Sequence, residues 1–285
     1  MSGHVVVIGA GTMGHGIAQV TAMAGYDVAL VDTSAELIER GLARITSNLD
    51  EGVRRGKLEQ THRDAALAHI RSCTSIADAG PGAFLAIEAV PERMDLKAAV
   101  FSELERHTPG DTIFASNTSS LSITGLQQTT SRPQQVVGMH FFNPVHINRL
   151  LELVRGAATS QATMDAAIAF AGRIGKDAIV VNDSPGFATS RLGVLLGLEA
   201  IRMVESGVAS AADIDKAMEL GYRHPMGPLR LTDLVGLDVR LDIARYLHAE
   251  LKSDAFRPPA LLEQMVAEGR LGRKSGRGFY DWSES

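Results

Sequence analysis

One cysteine, Cys73, is all the thiol chemistry this 285-residue sequence offers. A single thiol cannot close an internal disulfide, which fits a reducing compartment. There is no CxxC pair and no His/Cys cluster, and the nine histidines are scattered, so no metal site is expected. Positive charge is not in excess. The formal net charge is −5, which excludes a global basic field for nucleic acid. Any anionic ligand must then be held by local cations. No uninterrupted apolar run approaches the ~20 residues needed to span a bilayer. The N-terminus reaches Val5-Val6-Val7-Ile8 almost at once, without a basic leader and long apolar stretch, so a signal peptide is not expected. The phosphate-loop pattern GxxxxGK[ST] is absent, as are internal repeats and low-complexity tracts. These absences point to a cytoplasmic protein with no nucleic-acid or membrane partner.

What is present is ordinary for a folded chain: 45% hydrophobic and 21% charged residues. The length suits one large α/β domain, or a nucleotide-binding domain with a smaller one. Short apolar runs recur at Val5–Ile8, Val28–Val31, Phe84–Val90, Thr112–Ala115, Val136–Phe142 and Ile179–Val181. Runs that do not alternate with polar residues predict strands buried on both faces. Helical patterns lie between them at Ile17–Ala24, Ala35–Leu49 and Leu96–Leu104. This alternation predicts βαβ units and a doubly wound, mostly parallel sheet over residues 1–185. Pro185 and Gly186 punctuate the chain. Beyond them Arg191–Val204, Ala211–Leu220, Leu237–Leu251 and Leu261–Glu268 predict an all-helical C-terminal domain over residues 186–285.

Gly9-Ala10-Gly11-Thr12-Met13-Gly14 is a GxGxxG between a strand-like and a helix-like run. In that setting the first glycine permits a tight turn, the second lets backbone approach a pyrophosphate, and the third lets helix and strand pack closely. The helix N-terminus then faces the phosphates. Asp32 ends the next apolar run, about 20 residues on, where a carboxylate would take the adenine ribose hydroxyls. It would repel a 2′-phosphate, so the expected cofactor is NAD rather than NADP. The bland alternative is a glycine turn with Asp32 as a helix cap.

Three further segments stand out: Ser116-Asn117-Thr118-Ser119-Ser120-Leu121, His140-Phe141-Phe142-Asn143-Pro144 and His224-Pro225-Met226-Gly227-Pro228. With the glycine motif, and with Leu271–Gly276 and Gly278-Phe279-Tyr280 near the C-terminus, they resemble the short-chain L-3-hydroxyacyl-CoA dehydrogenase family. Within it the resemblance is to bacterial 3-hydroxybutyryl-CoA dehydrogenases, and it runs essentially end to end. The resemblance implies NAD-dependent interconversion of a 3-hydroxyacyl-CoA and a 3-ketoacyl-CoA.

Oxidising a secondary alcohol needs a base for the hydroxyl proton, a task suited to histidine. His140 ends an apolar strand run, where ligand sites collect in open α/β sheets. By position alone it serves equally as a core histidine satisfied by backbone; the resemblance makes it the base. Glu152 interrupts Leu150–Val154, and a carboxylate inside an apolar run is costly unless paired. It reads either as the wet face of an edge strand or, by resemblance, as the partner of the histidine. Ser119 matches the family serine that bonds the substrate C3 oxygen. By spacing alone it competes with Ser120 and Ser122 to cap the helix at Ile123–Gln127. Glu92, Lys97, Asn143 and Lys274 are implied to lie near the cofactor. Arg54, Arg55 and Lys57 match a CoA-contacting stretch, although Glu51 stands where relatives often carry lysine. A solvated helix end is the alternative.

The sequence departs from the family again after the last strand. Asp183-Ser184-Pro185-Gly186-Phe187-Ala188-Thr189-Ser190-Arg191 has Ser190 where the family has an asparagine that positions substrate. Serine keeps a donor and an acceptor but is shorter. The competing readings are a 3-hydroxyadipyl-CoA dehydrogenase, which needs a cation for the distal carboxylate, and a dehydrogenase of small free hydroxy acids, against which the two polar motifs speak. The third is a non-catalytic NAD-binding protein of the same fold. A homodimer through apolar positions of the helical domain is expected from the resemblance.

Overall fold

The computed structural model describes residues 3–283, which divide between Ser184 and Pro185 into two compact units. The first unit holds one eight-stranded sheet. Its strands are β1 His4–Ile8, β2 Val28–Val31, β3 Ile70–Cys73, β4 Ala83–Glu88, β5 Ile113–Ser116, β6 Val136–Phe141, β7 Leu150–Arg155 and β8 Asp177–Asn182. Their order is β3-β2-β1-β4-β5-β6-β7-β8. All neighbours are parallel except β6 and β7, which are antiparallel. The expected mostly parallel sheet is therefore present.

Seven helices connect these strands: α1 Gly14–Met23, α2 Ala35–Arg54, α3 Gln60–Ala68, α4 Ile76–Ala79, α5 Met94–His107, α6 Ile123–Gln127 and α7 Gln161–Arg173. Helix α2 shows the local logic. Ser34 caps it by accepting from the Leu37 amide, and Ile38, Gly41, Ile45 and Leu49 recur at helical spacing to form its buried face. Strands β1, β2, β5 and β6 are buried along nearly their whole length, as unbroken apolar runs require.

Strand β8 differs from that expectation. Ile179 and Val180 are 38% and 49% exposed, because β8 is an edge strand with a neighbour on one side only. The other edge, β3, was not evident in the sequence. Its Ile-Arg-Ser-Cys pattern is half polar, as an edge strand can be.

The second unit is helical: α8 Thr189–Glu205, α9 Ala211–Gly221, α10 Pro228–Val235, α11 Leu237–Leu251 and α12 Ala260–Ala267. Leu198, Ile201, Leu229, Leu237 and Leu247 form its core. Asp233 on α10 is buried and ties down the C-terminal segment, accepting from Phe279 N and Tyr280 N at 2.9 Å and from Trp282 Nε1 at 2.8 Å. Among the described residues no helix is long and apolar enough to cross a membrane.

Candidate active site

The glycine motif forms the turn between β1 and α1. Gly9 sits at φ +101°, and a Cβ there would lie 2.7 Å from the Ala89 carbonyl oxygen. At Gly14 an added Cβ would come within 1.6 Å of Gly9 O, so α1 can pack on the turn only without a side chain there. Gly11 faces open space, with no atom within 4 Å of an added Cβ. Ala10 is buried against Gly41 of α2, Thr12 is exposed, and Met13 precedes α1 without a side-chain cap. A helix start without a side-chain cap presents amide N–H groups suited to an anion.

Asp32, just past β2, is oriented by two backbone donors. Its Oδ2 accepts from Ala10 N and its Oδ1 from Thr33 N, each at 2.7 Å. A carboxylate has further lone pairs for ribose hydroxyls. A cleft of about 730 Å³ opens here, lined by Gly9, Gly11, Asp32, Leu37, Val90 and Pro91. It lies where the strand order reverses between β1 and β4, the ligand crevice of doubly wound sheets. Glycine turn, helix start, acid and apolar walls together fit a dinucleotide.

A buried polar network links β4 and β5. Lys97 of α5 is 1% exposed and donates to Glu88 Oε1 at 2.8 Å and Oε2 at 3.0 Å, with Glu92 Oε2 at 3.2 Å. Glu88 also accepts from Ser116 Oγ at 2.6 Å and Val90 N at 2.7 Å. Burial pushes the Glu88 carboxyl above the ordinary range, against the pull of Lys97 and these donors. Glu92 accepts from Thr118 Oγ1 at 2.6 Å, Ser119 N at 2.8 Å and Ser119 Oγ at 3.2 Å. Desolvation raises the Glu92 carboxyl, but Lys97 and these donors outweigh it and hold it below the usual range. Ser119 thus sits on a carboxylate that is itself fixed by a buried lysine.

His140 and Glu152 are directly opposite each other on the antiparallel pair β6/β7. His140 Nδ1 lies 2.9 Å from Glu152 Oε2, and both side chains are buried, at 7% and 0% exposure. The Phe142 ring stands 4.4 Å from the imidazole, centre to centre. Asn117 joins this pair to the serine segment, since its Oδ1 accepts from Phe141 N at 2.9 Å. Glu152 is therefore not on the wet face of an edge strand. Nor is Ser119 the helix cap. Ser122 caps α6 through Gly125 N at 3.0 Å and donates to Asp183 at 2.8 Å.

The structure thus gathers Glu92, Lys97, Ser119, His140 and Glu152 around the carboxyl ends of β4, β5 and β6, with the glycine turn and Asp32 at β1 and β2. Asn143 is exposed in the loop after β6, and its carbonyl accepts from Asn148 Nδ2 at 2.7 Å. Ser190 lies in the first turn of α8, in the second unit. Lys274, also in the second unit, pairs with Asp238 at 2.5 Å. Arg54 and Arg55 are exposed and both pair with Glu51. Lys57 instead lines a cleft of about 590 Å³ with Gln19, Asn48, His146, Arg173 and Lys176. Among the described residues no three or more His, Cys, Asp or Glu side chains converge where a metal could sit.

Sequence reasoning missed Glu88. It stands in the apolar run Phe84–Val90, and the rule that singled out Glu152, a carboxylate among apolar residues, applies to it equally. Asn117 and Thr118 lay inside a recognised motif but had been given no task.

Comparison with known proteins bears on this geometry. Residues 4–184 match the 3-hydroxyacyl-CoA dehydrogenase NAD binding domain, and residues 186–282 match the 3-hydroxyacyl-CoA dehydrogenase C-terminal domain. The chain is 45% identical over 280 residues to a probable 3-hydroxybutyryl-CoA dehydrogenase of Bacillus subtilis, covering 98% of this chain and 97% of that one. It is 38% identical to the mitochondrial hydroxyacyl-coenzyme A dehydrogenase of Sus scrofa, covering 98% and 91%. The solved structure of (S)-3-hydroxybutyryl-CoA dehydrogenase from Ralstonia eutropha superposes with a TM-score of 0.95 at 41% identity, over the full length of both chains. With both units matched and identity well above 30% along almost the whole chain, this protein belongs to the 3-hydroxyacyl-CoA dehydrogenase family of NAD-dependent oxidoreductases.

Proposed function

We propose that the chain oxidises short (S)-3-hydroxyacyl-CoA thioesters, with (S)-3-hydroxybutyryl-CoA as a substrate, and that His140 is the base. The observation that carries this reading is the buried cross-strand pair of His140 and Glu152. A hydrogen on Nδ1 donated to Glu152 leaves the imidazole lone pair on Nε2, which takes the substrate hydroxyl proton. The Glu152 carboxylate fixes this tautomer and stabilises the imidazolium that forms. NAD held at the glycine turn and Asp32 would supply the acceptor for the hydride from C3. Ser119 donates to the C3 oxygen, its position set by Glu92. Ser190 supplies a second, shorter polar contact in place of the family asparagine.

In the same reading the residues from Gly9 to Gly14 hold the pyrophosphate and Asp32 the adenine ribose. Glu92, Lys97, Asn143 and Lys274 support the cofactor, with Lys97 acting through Glu92. Lys57, Arg54 and Arg55 serve the phosphates of CoA, the two arginines sharing their charge with Glu51. The protein works in the cytoplasm as a homodimer, joined through the helical unit, where Leu192, Leu220 and Tyr222 are 67%, 73% and 76% exposed.

His140→Gln and Glu152→Gln test the assignment. Each should lower turnover by about 10²–10⁴-fold, the range of general acid–base catalysis. NADH binding, followed by fluorescence, should be unchanged. Unaltered turnover in either variant contradicts the role given to that residue.

A further inference from the structure

The first unit carries a groove whose charge is of one sign. It is the cleft of about 590 Å³ already noted beside Lys57, and His146, Arg149, Arg173 and Lys176 line it too, with no carboxylate among the described residues of its walls. Two of these cations are engaged elsewhere. Arg149 pairs with Asp177, and Arg173 lies over the Tyr26 ring at 4.5 Å. Lys176 differs from them. It is 8% exposed, and its ammonium donates only to the backbone carbonyls of Val145 and Asn148. An ammonium has three hydrogens, so one remains uncommitted. Burial lowers the pKa of Lys176, and no acid acts against it. A buried cation held by carbonyls without a counter-charge calls for an anion from outside the fold.

His146, in the loop after β6, is its neighbour in this wall. Helix α1 brings His15 towards the same imidazole, with His15 Nδ1 donating to Gly11 O at 2.7 Å, and the turn into β8 brings Lys176. Partial burial first, then the charges of His15 and Lys176, hold His146 below the ordinary histidine range. The imidazole is therefore mostly neutral at pH 7. Lys57 from the link between α2 and α3, Arg149 and Arg173 complete the charged lining. Arg54 and Arg55 share Glu51 and stand outside the groove. A dianion placed between Lys176 and His146 reverses the balance at the imidazole, because an opposite charge within a few ångströms favours the charged form.

We infer that this groove binds a phosphate dianion through Lys176 and His146, and that His146 takes up a proton from solvent as the anion enters. The sign of the pH effect follows. Binding raises the pKa of His146, so the added affinity is present below the raised value and is lost as pH climbs through it. The dianion belongs either to the phosphate end of the CoA thioester or to a separate nucleotide, which present the same group. His146 follows His140 by six residues, at most ~20 Å of extended chain, so a long thioester reacting at His140 can reach the groove with its phosphate end. That source rests on the dehydrogenase reading above; the site itself does not.

The test is calorimetric titration of the intact protein with adenosine 3′,5′-bisphosphate, with NADH at saturation to fill the dinucleotide cleft. Two buffers of different ionisation enthalpy read the proton uptake. The Kd should be about 3–10-fold lower at pH 6.5 than at pH 8.0, with net uptake of protons at pH 7. The phosphate, with a second pKa of about 6, would by itself release protons on binding as a dianion. His146→Asn should abolish both the uptake and the pH dependence while keeping the Kd measured at pH 8.0. Lys176→Met should weaken binding about 10–100-fold at either pH, the worth of a charged hydrogen bond. Circular dichroism checks its folding, and the exposed His146 decides the matter if that variant does not fold. Equal affinity at the two pH values in the wild type, or uptake that survives His146→Asn, overturns the inference. Inhibition of acetoacetyl-CoA turnover by the same probe separates the sources. Competition with the thioester assigns the groove to the substrate's own phosphates, and inhibition independent of the thioester assigns it to a separate nucleotide. Proton-linked binding by a protein that turns over no thioester overturns the dehydrogenase reading alone.

Discussion

Asp32 holds the glycine turn and, in the proposed function, the cofactor ribose, so its replacement should act on binding rather than on chemistry. Asp32→Ser is expected to raise the KM for NAD by about 10–100-fold, the worth of hydrogen bonds to a charged group, and to narrow the preference over NADP. Steady-state kinetics with both cofactors checks this, and an unchanged NAD/NADP ratio contradicts it. The Glu88–Lys97–Glu92 network should matter first for stability. Lys97→Met leaves Glu88 buried beside no cation and should cost about 3–5 kcal/mol in denaturant unfolding. Glu92 has a depressed pKa in the fold, so the stability it contributes is present above the ordinary carboxylate range and fades as pH falls below about 4. Glu92→Gln should flatten that acid loss in unfolding midpoints measured from pH 3 to 7. At this scale the sequence yielded residues whose chemistry is written in a motif: Ser119, His140 and Asp32. It did not yield Glu88, because a charge near the end of an apolar strand looks the same whether or not a partner meets it.

The antiparallel excursion of β7 is what sets Glu152 opposite His140. Side chains alternate along a strand, so a slip of one residue in the β6/β7 register would turn Glu152 to the other face and strand it unpaired. The polar interruption at Glu152 was legible in the sequence; its antiparallel register against β6 was not. Helices α3, α7 and α10 were likewise not singled out, since α3 buries only Ala66 and α10 is a short run started by Pro228. The turn between β1 and α1 has no room for a side chain at Gly9 or Gly14. Gly14→Ala forces a Cβ into the Gly9 carbonyl and should abolish NADH binding, measured by fluorescence titration, with near-normal binding refuting the close packing described here.

At the scale of the molecule, each of the two units has a hydrophobic core of its own among the described residues. The exposed Leu192, Leu220 and Tyr222 of the helical unit lead to an expected particle of twice the chain mass at micromolar concentration, and a monomer by light scattering would contradict it. The most direct measurement of function is the loss of NADH absorbance when the purified protein meets acetoacetyl-CoA, with NADPH and free acetoacetate as controls. Rapid oxidation that requires the CoA thioester and prefers NADH is the expected result. Tight NADH binding without any oxidation would contradict it, and would mean that the change to Ser190 has retired the site.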